Sequence, residues 1–153
     1  MNPIEIKQLG HLVLYVKDLK KSAHFYGEIL GWKQIKNPQP GFPAAAFTGG
    51  TTHHELLLIE VGPDAAPLQK GHHLGLYHFG LKIGDADEDL RRALNHLEKL
   101  GVPIMGATDH TVSHSLYIQD PDGNEIELYV DVPGVDWQNH PEQLFAPAKY
   151  LDL

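Results

Sequence analysis

Hydrophobic and polar residues follow each other along the chain in an order that occurs twice. Residues 9–16 alternate with a period of two, which predicts a β-strand. Apolar residues at helical spacing then follow Asp18, a good N-cap, and this helix is predicted to end at Gly31. Two further strands are predicted at 44–48 and 56–61, separated by a glycine-rich turn.

The same order of elements returns about 65 residues later. A strand is predicted at 76–83, and an acidic turn over 85–89 favours the start of a helix whose apolar stripe ends at Gly101. Strands at 116–119 and 126–131 follow, joined by an Asp-Pro-Asp-Gly turn.

This repetition predicts an α+β fold made by duplication of a small βαβββ module. The two modules span about residues 9–61 and 76–131, and 132–153 form an irregular C-terminal tail. One helix and one sheet leave a sheet face that needs cover, so we expect neither module to be stable alone. The chain, residues 1–153, is therefore predicted to be a single domain with one core.

The composition narrows the class of protein. With 153 residues, 42% of them hydrophobic, the chain is long enough for a globular domain and too apolar for disorder. Lys and Arg number 12 against 20 Asp and Glu, a net charge of −8 that disfavours nucleic-acid binding. No apolar run approaches the roughly 18 residues of a membrane span. The first residues lack a signal-peptide pattern, so we expect a cytoplasmic protein without a membrane partner.

Eleven histidines and no cysteine mean that any metal chemistry must use His, Asp and Glu. His11 and His78 lie on the first strands of the two modules, and Glu60 and Glu127 on their last strands, each pair 67 residues apart. Two imidazoles with one carboxylate suit Fe(II), whereas a second carboxylate suits Ni, Co, Mn or Zn. Glu60 keeps two interpretations, a metal ligand or a solvated strand end.

The remaining histidines are weaker candidates for a functional site. Two adjacent pairs lie in polar loops, where we expect exposed side chains: His53-His54 and His72-His73. His110 and His114 flank a Val-Ser pair, and strand alternation would place their side chains together. One of these two could face a cavity as an outer member of a site.

Four stretches make the chain resemble a known family: GHLVLYV at 10–16, GLYHF at 75–79, DHTVS at 109–113 and LYIQDPDGNEIELY at 116–129. With these motifs it resembles the vicinal oxygen chelate superfamily (glyoxalase, bleomycin resistance and extradiol dioxygenase proteins). The likeness is greatest to the first domain of catechol 2,3-dioxygenase-type proteins. The resemblance implies that the two modules form a cup-shaped mixed sheet with the helices outside, and that the protein is a homodimer.

The resemblance also implies roles for individual residues. Metal ligands fall on His11, His78 and Glu127, with Fe(II) as the expected divalent metal and Mn, Ni, Co or Zn as alternatives. Tyr117 matches a tyrosine that orients the bound catecholate in extradiol enzymes, and His110 lies near the position of their acid–base histidine. Glu60 instead matches the fourth ligand of glyoxalase I.

Three functional hypotheses follow. The first is a metal-dependent extradiol dioxygenase that cleaves an aromatic diol, with His110 and Tyr117 as catalytic residues. The second is a glyoxalase I-like lyase or isomerase of α-oxo or thiohemiacetal compounds, with Glu60 or Glu127 as the general base. The third is a non-catalytic module that binds a small molecule. Each has a small-molecule ligand.

Overall fold

The computed structural model describes residues 3–39 and 41–153. The chain divides into two compact units, the first extending to Pro67 and the second beginning at Leu68. Each unit contains one βαβββ module, which confirms the predicted α+β fold and its duplication. In the described part of the chain, no helix combines the length and the apolar character that crossing a membrane requires.

The first unit is a four-stranded sheet with one helix. Its strands are β1 (Leu12–Val16), β2 (Lys33–Ile35), β3 (Ala44–Thr48) and β4 (Leu56–Glu60), in the order β1-β4-β3-β2. Helix α1 (Leu19–His24) continues into a π-helical turn over Phe25–Ile29. Asp18 caps α1 as predicted, since its Oδ1 accepts a hydrogen bond from the Lys21 backbone N–H at 3.0 Å.

The second unit is a five-stranded sheet with one helix. Its elements are β5 (His78–Gly84), α2 (Asp87–Lys99), β6 (Gly106–Asp109), β7 (Ser113–Gln119), β8 (Glu125–Asp131) and β9 (Lys149–Tyr150). The strand order is β5-β8-β7-β6-β9, and a 3-10 helix over Pro141–Phe145 lies in the tail. The acidic turn caps α2, because Asp89 accepts hydrogen bonds from the backbone N–H groups of Asp85 and Ala86.

Alternation along the strands gives each sheet a buried face and a more open one. In β8 the buried side chains are those of Ile126, Leu128 and Val130, and the intervening residues are half-buried. Helix α2 packs against β5, β7 and β8, and it buries Leu90 and Leu97. The half-buried face of this sheet is therefore the one left for polar side chains.

In each βαβββ module the first strand is parallel to the fourth, and the remaining strand pairs are antiparallel. The strand predicted at 44–48 has those bounds in the structure, whereas the one predicted at 9–16 begins only at Leu12. The strands β2 and β6 were not predicted. All three side chains of β2 are exposed, so its sequence carries no alternation that could have indicated a strand.

Candidate functional site

Polar side chains from β5, β7 and β8 share the half-buried face of the second unit's sheet. Strand register pairs His78 with Glu125 and Tyr117 with Glu127. Because every second residue of a strand points to the same side, all four side chains lie on one face. We use the name polar cluster for these residues and two neighbours: His78, His110, Ser115, Tyr117, Glu125 and Glu127.

His78 lies between two carboxylates. Its Nε2 is 3.2 Å from Glu127 Oε2, and its Nδ1 is 3.5 Å from Glu125 Oε1. The buried Nδ1 has no hydrogen-bond partner among the described residues. An imidazole with an unsatisfied nitrogen beside two carboxylates is poorly explained by packing alone, because buried polar atoms are normally hydrogen-bonded.

Both oxygens of the Glu127 carboxylate face side chains of the polar cluster. Its Oε1 accepts a hydrogen bond from the Ser115 hydroxyl at 2.5 Å, while Oε2 faces His78. The side chain is only 16% exposed. Its direction is therefore set by contacts within the sheet rather than by solvent.

Tyr117 and His110 form the other half of the polar cluster. The Tyr117 hydroxyl and His110 Nε2 share a hydrogen bond of 2.7 Å, and the Tyr117 ring meets His78 edge-on at 5.8 Å between centroids. Burial, followed by the nearby charge of Glu127, raises the pKa of Tyr117 above its ordinary value of 10.0. The shift keeps the phenol protonated even in alkaline solution, and its hydroxyl can donate a hydrogen bond.

His114 does not join His110, so the expectation that alternation would place them together is wrong. Its Nδ1 shares a hydrogen bond of 2.6 Å with Asp87 at the start of α2, on the face opposite to Tyr117. Thr111, with φ of 71°, makes a tight turn between His110 and β7. This turn interrupts the strand, so the alternation of side chains along β7 does not extend back to His110.

In the first unit, His11 lies beside other imidazoles rather than carboxylates. The His54 ring stacks on it at 4.6 Å between centroids, and the His53 ring is 6.0 Å away. His53 is exposed as predicted, whereas His54 is half-buried.

A single carboxylate organises the loop that carries these histidines. Glu55 accepts hydrogen bonds from the backbone N–H groups of Gly49 at 2.6 Å, Thr51 at 2.9 Å and Thr52 at 2.5 Å. The Gly49 and Thr52 bonds lower the pKa of Glu55 from its ordinary 4.5 to about 2. The Glu55 carboxylate is therefore occupied by the backbone N–H groups of its own loop.

Glu60 contacts the start of helix α1. Its Oε2 accepts a hydrogen bond of 2.8 Å from the backbone N–H of Leu19, the first residue of that helix. Carboxylates are stabilised at such helix N-termini. The side chain therefore has a structural contact, and its use as a metal ligand stays a prediction.

Strand register also shows that Glu60 is not the counterpart of Glu127. With His11 aligned to His78, the residue in the place of Glu127 is Leu57, because Leu57 pairs with Val13 as Glu127 pairs with Gly80. The separation from histidine to this place is 46 residues in the first unit and 49 in the second. Glu60 and Glu127 are 67 residues apart, as His11 and His78 are, but the two glutamates occupy non-equivalent strand positions.

The donor set in the second unit fits a metal ion, although it is incomplete by itself. Within residues 3–39 and 41–153, no three His, Asp or Glu side chains are grouped so that they could hold a metal. However, neighbouring ligands at about 2.1 Å from one metal are about 3.0 Å apart. His78 Nε2 and Glu127 Oε2, at 3.2 Å, have nearly this separation. Imidazole nitrogen and carboxylate oxygen are ordinary ligands of divalent transition metals.

Comparison with known proteins identifies the family. The sequence model of the Glyoxalase/Bleomycin resistance protein/Dioxygenase superfamily matches residues 8–128, most of the chain. The chain belongs to this superfamily. The resemblance inferred from its motifs is thereby confirmed.

Individual superfamily members have different activities. A catechol-2,3-dioxygenase of Bacillus subtilis (strain 168) is 36% identical over 138 residues, which are 90% of this chain and 46% of the relative. The chain thus spans less than half the length of that dioxygenase. The glutathione transferase FosA of Serratia marcescens is 30% identical over 125 residues, 82% of each protein. A glyoxalase/dioxygenase structure from Nostoc punctiforme has a TM-score of 0.69 at 22% identity, covering 86% of this chain and 99% of that one, and supports the fold.

Four of the candidate site residues predicted from the sequence lie together in the second unit: His78, His110, Tyr117 and Glu127. His11 and Glu60 lie in the first unit, where each has the local contacts described above. Strand alternation predicts that Glu125 shares the face of Glu127, and the structure confirms it. Ser115 was not predicted as a member of the cluster, although its alternation with Tyr117 along β7 is a signal that could have indicated it.

Proposed function

We propose that this superfamily member is a metal-dependent oxygenase of the extradiol type, which opens the ring of an aromatic diol. The observation that carries the proposal is the 2.7 Å hydrogen bond between His110 and Tyr117, beside the His78–Glu127 pair. A site with metal-binding groups and a protonated phenol next to an imidazole can bind a diol and move its protons.

The ligands that we propose are His78 and Glu127, with His11 as a further imidazole because the family resemblance implies it. Members of the superfamily bind divalent metals. We propose Fe(II), since two imidazoles and one carboxylate leave coordination positions open for substrates. When bound, the metal would act as a Lewis acid on a substrate with two neighbouring oxygens and would lower the pKa of their protons.

The remaining residues of the polar cluster supply proton chemistry. Tyr117, like any tyrosine with a pKa at or above 10.0, is protonated at neutral pH, so its hydroxyl can donate to a substrate oxygen. His110 Nε2, within hydrogen-bond distance of that hydroxyl, can accept a proton from the diol and return it later.

A lyase or isomerase of the glyoxalase type is less well supported. In that hypothesis Glu60 completes a set of four ligands. Its carboxylate accepts the backbone N–H of Leu19, and Leu57 occupies the strand position that corresponds to Glu127. This geometry favours a set of three ligands and therefore the oxygenase.

Oxygen consumption tests the proposal. Protein prepared without a His-tag would be loaded with Fe(II) under anaerobic conditions and mixed with a panel of catechols in aerated buffer. We expect uptake of dioxygen in proportion to the diol consumed. A parallel assay with Ni or Zn and a hemithioacetal measures the alternative reaction, and turnover in that assay without oxygen uptake in the first would contradict the proposal. Diol binding without either reaction would instead indicate the non-catalytic module.

A further inference from the structure

We propose that Ser115 is a positioning residue that aims the Glu127 carboxylate at the metal. The inference rests on the proposed function, in which Glu127 is a ligand. Ser115 is fully buried, and its hydroxyl donates the 2.5 Å hydrogen bond to Glu127 Oε1. Hydrogen bonds to a charged acceptor are short and about twice as strong as neutral ones.

The two oxygens of Glu127 have separate partners. Oε1 is occupied by Ser115, so Oε2 is the oxygen that faces His78 Nε2. Without the hydroxyl, the plane of the carboxylate could rotate about its terminal bond and turn both oxygens away from His78, since this torsion is broad. The Ser115 hydrogen bond therefore holds the plane in which Oε2 lies beside the histidine ligand.

The neighbouring strand leaves room for this orientation. Gly80 pairs with Glu127, and a Cβ atom at Gly80 would lie 3.6 Å from Glu127 Oε2 and 3.3 Å from the Tyr129 ring. A larger side chain there would crowd both groups. The carboxylate is thus held by a hydrogen bond on the β7 side and is not crowded by a side chain at position 80 of β5.

The first unit provides an internal comparison. Its β3 pairs Ala44 with Ile59 and Ala46 with Leu57, as β7 pairs Ser115 with Tyr129 and Tyr117 with Glu127. Alanine therefore fills the place of Ser115 in a module with the same strand order, and Ala44 is buried as Ser115 is. A hydroxyl at this place is not required to build the module. Its presence in the second unit accompanies the presence of Glu127.

The experiment measures metal affinity rather than turnover. Metal-free, tag-free protein would be titrated with Co(II), following heat and the visible absorption of the bound ion. We expect Ser115→Ala, which copies the first unit, to raise the Kd by about 10- to 100-fold, the usual cost of losing a group that orients a ligand. Ser113→Ala, on the same strand face two residues away, is the matched control and should bind like the wild type. Thermal unfolding of each metal-free variant checks the fold.

A second pair of variants repeats the test with matched shapes. Ser115→Thr keeps the hydroxyl and should bind Co(II) like the wild type, whereas Ser115→Val removes it and should bind like Ser115→Ala. Equal affinities for Thr and Val, or an unchanged Kd for Ser115→Ala, would overturn the role of Ser115 and leave the proposed function standing. A wild-type protein that binds no Co(II) would overturn both.

Discussion

The two units share a backbone plan and differ in the chemistry of one sheet face. Register aligns four pairs of positions: His11 with His78, Leu57 with Glu127, Ala44 with Ser115, and Ala46 with Tyr117. The first unit keeps the histidine and has apolar residues at the other three positions. The module therefore needs its buried face for folding, and the opposite face can acquire a site without changing the strand order.

Two aligned glutamates show the same contrast. Glu55 would continue the register of β4 to a place opposite His11, and Glu125 pairs with His78. Glu55 binds the backbone of its own loop, while Glu125 lies 3.5 Å from the imidazole. A carboxylate that satisfies local N–H groups stabilises structure, whereas one aimed at another titratable side chain is available for chemistry.

The largest expected effect comes from removing the histidine of the second unit. In His78→Ala, we expect diol-dependent oxygen uptake to become undetectable at Fe(II) concentrations that saturate the wild type, because a metal ligand is lost. His24→Ala, which removes an exposed imidazole of α1, is the control and should retain full uptake. If His78→Ala kept its activity, the second unit would not be the site of the reaction.

The second largest effect is expected at Tyr117, whose place in the first unit is taken by Ala46. Tyr117→Phe keeps the ring and removes the hydroxyl that contacts His110. We expect kcat for the diol to fall by about 10²-fold or more, the usual range for a group in proton transfer, with the metal still bound. Elemental analysis alongside steady-state kinetics separates the two effects. An unchanged kcat would remove Tyr117 from the mechanism.

The unequal roles of Glu60 and Glu127 predict a change in stability alone. Glu60→Ala removes the acceptor for the Leu19 N–H at the start of α1, so we expect a loss of about 0.5–1 kcal/mol in the free energy of unfolding. Urea unfolding measures the loss. Asp18→Ala, which removes the other cap of the same helix, should cost a similar amount and serves as the comparison. A variant with unchanged stability and lost metal would reverse our interpretation of Glu60.

The smallest effect is expected at Glu55, and it depends on pH. Its pKa falls from 4.5 to about 2 on folding, so its contribution to stability is complete above pH 4.5 and is lost as the pH falls toward 2. We expect Glu55→Gln to have a lower Tm than the wild type at pH 6, and the difference to shrink between pH 4.5 and 2. Thermal unfolding across this range tests it. A difference that did not change with pH would mean that the charge of Glu55 is not what holds the loop.

Much of the fold could be predicted because its signals are local. The Asp18 cap and the strand at 44–48 were predicted from adjacent residues, and the structure confirms both. The strands β2 and β6 were not predicted because they are short. They are defined by hydrogen bonds to β3 and β7, and this pairing leaves no apolar period in their own sequences.

The site was harder to predict for a related reason. Side chains such as His78 and Glu127 could be selected by residue type and strand position, but their pairing depends on register. Register in turn depends on connection lengths, which differ by three residues between the units. The equivalence of Glu60 and Glu127 failed for this reason. The roles of Ser115 and of His114 became visible only once individual contacts were known.

The central claim is that the second unit's carboxylate on β8, and not the one that ends β4, binds the metal. It is tested most directly by the metal content of tag-free Glu127→Gln and Glu60→Gln, each saturated with Fe(II) and then freed of unbound metal. Both changes keep shape and remove charge. We predict that Glu127→Gln loses its metal while Glu60→Gln retains the wild-type amount. Full metal content in Glu127→Gln, or its loss in Glu60→Gln, would contradict the claim.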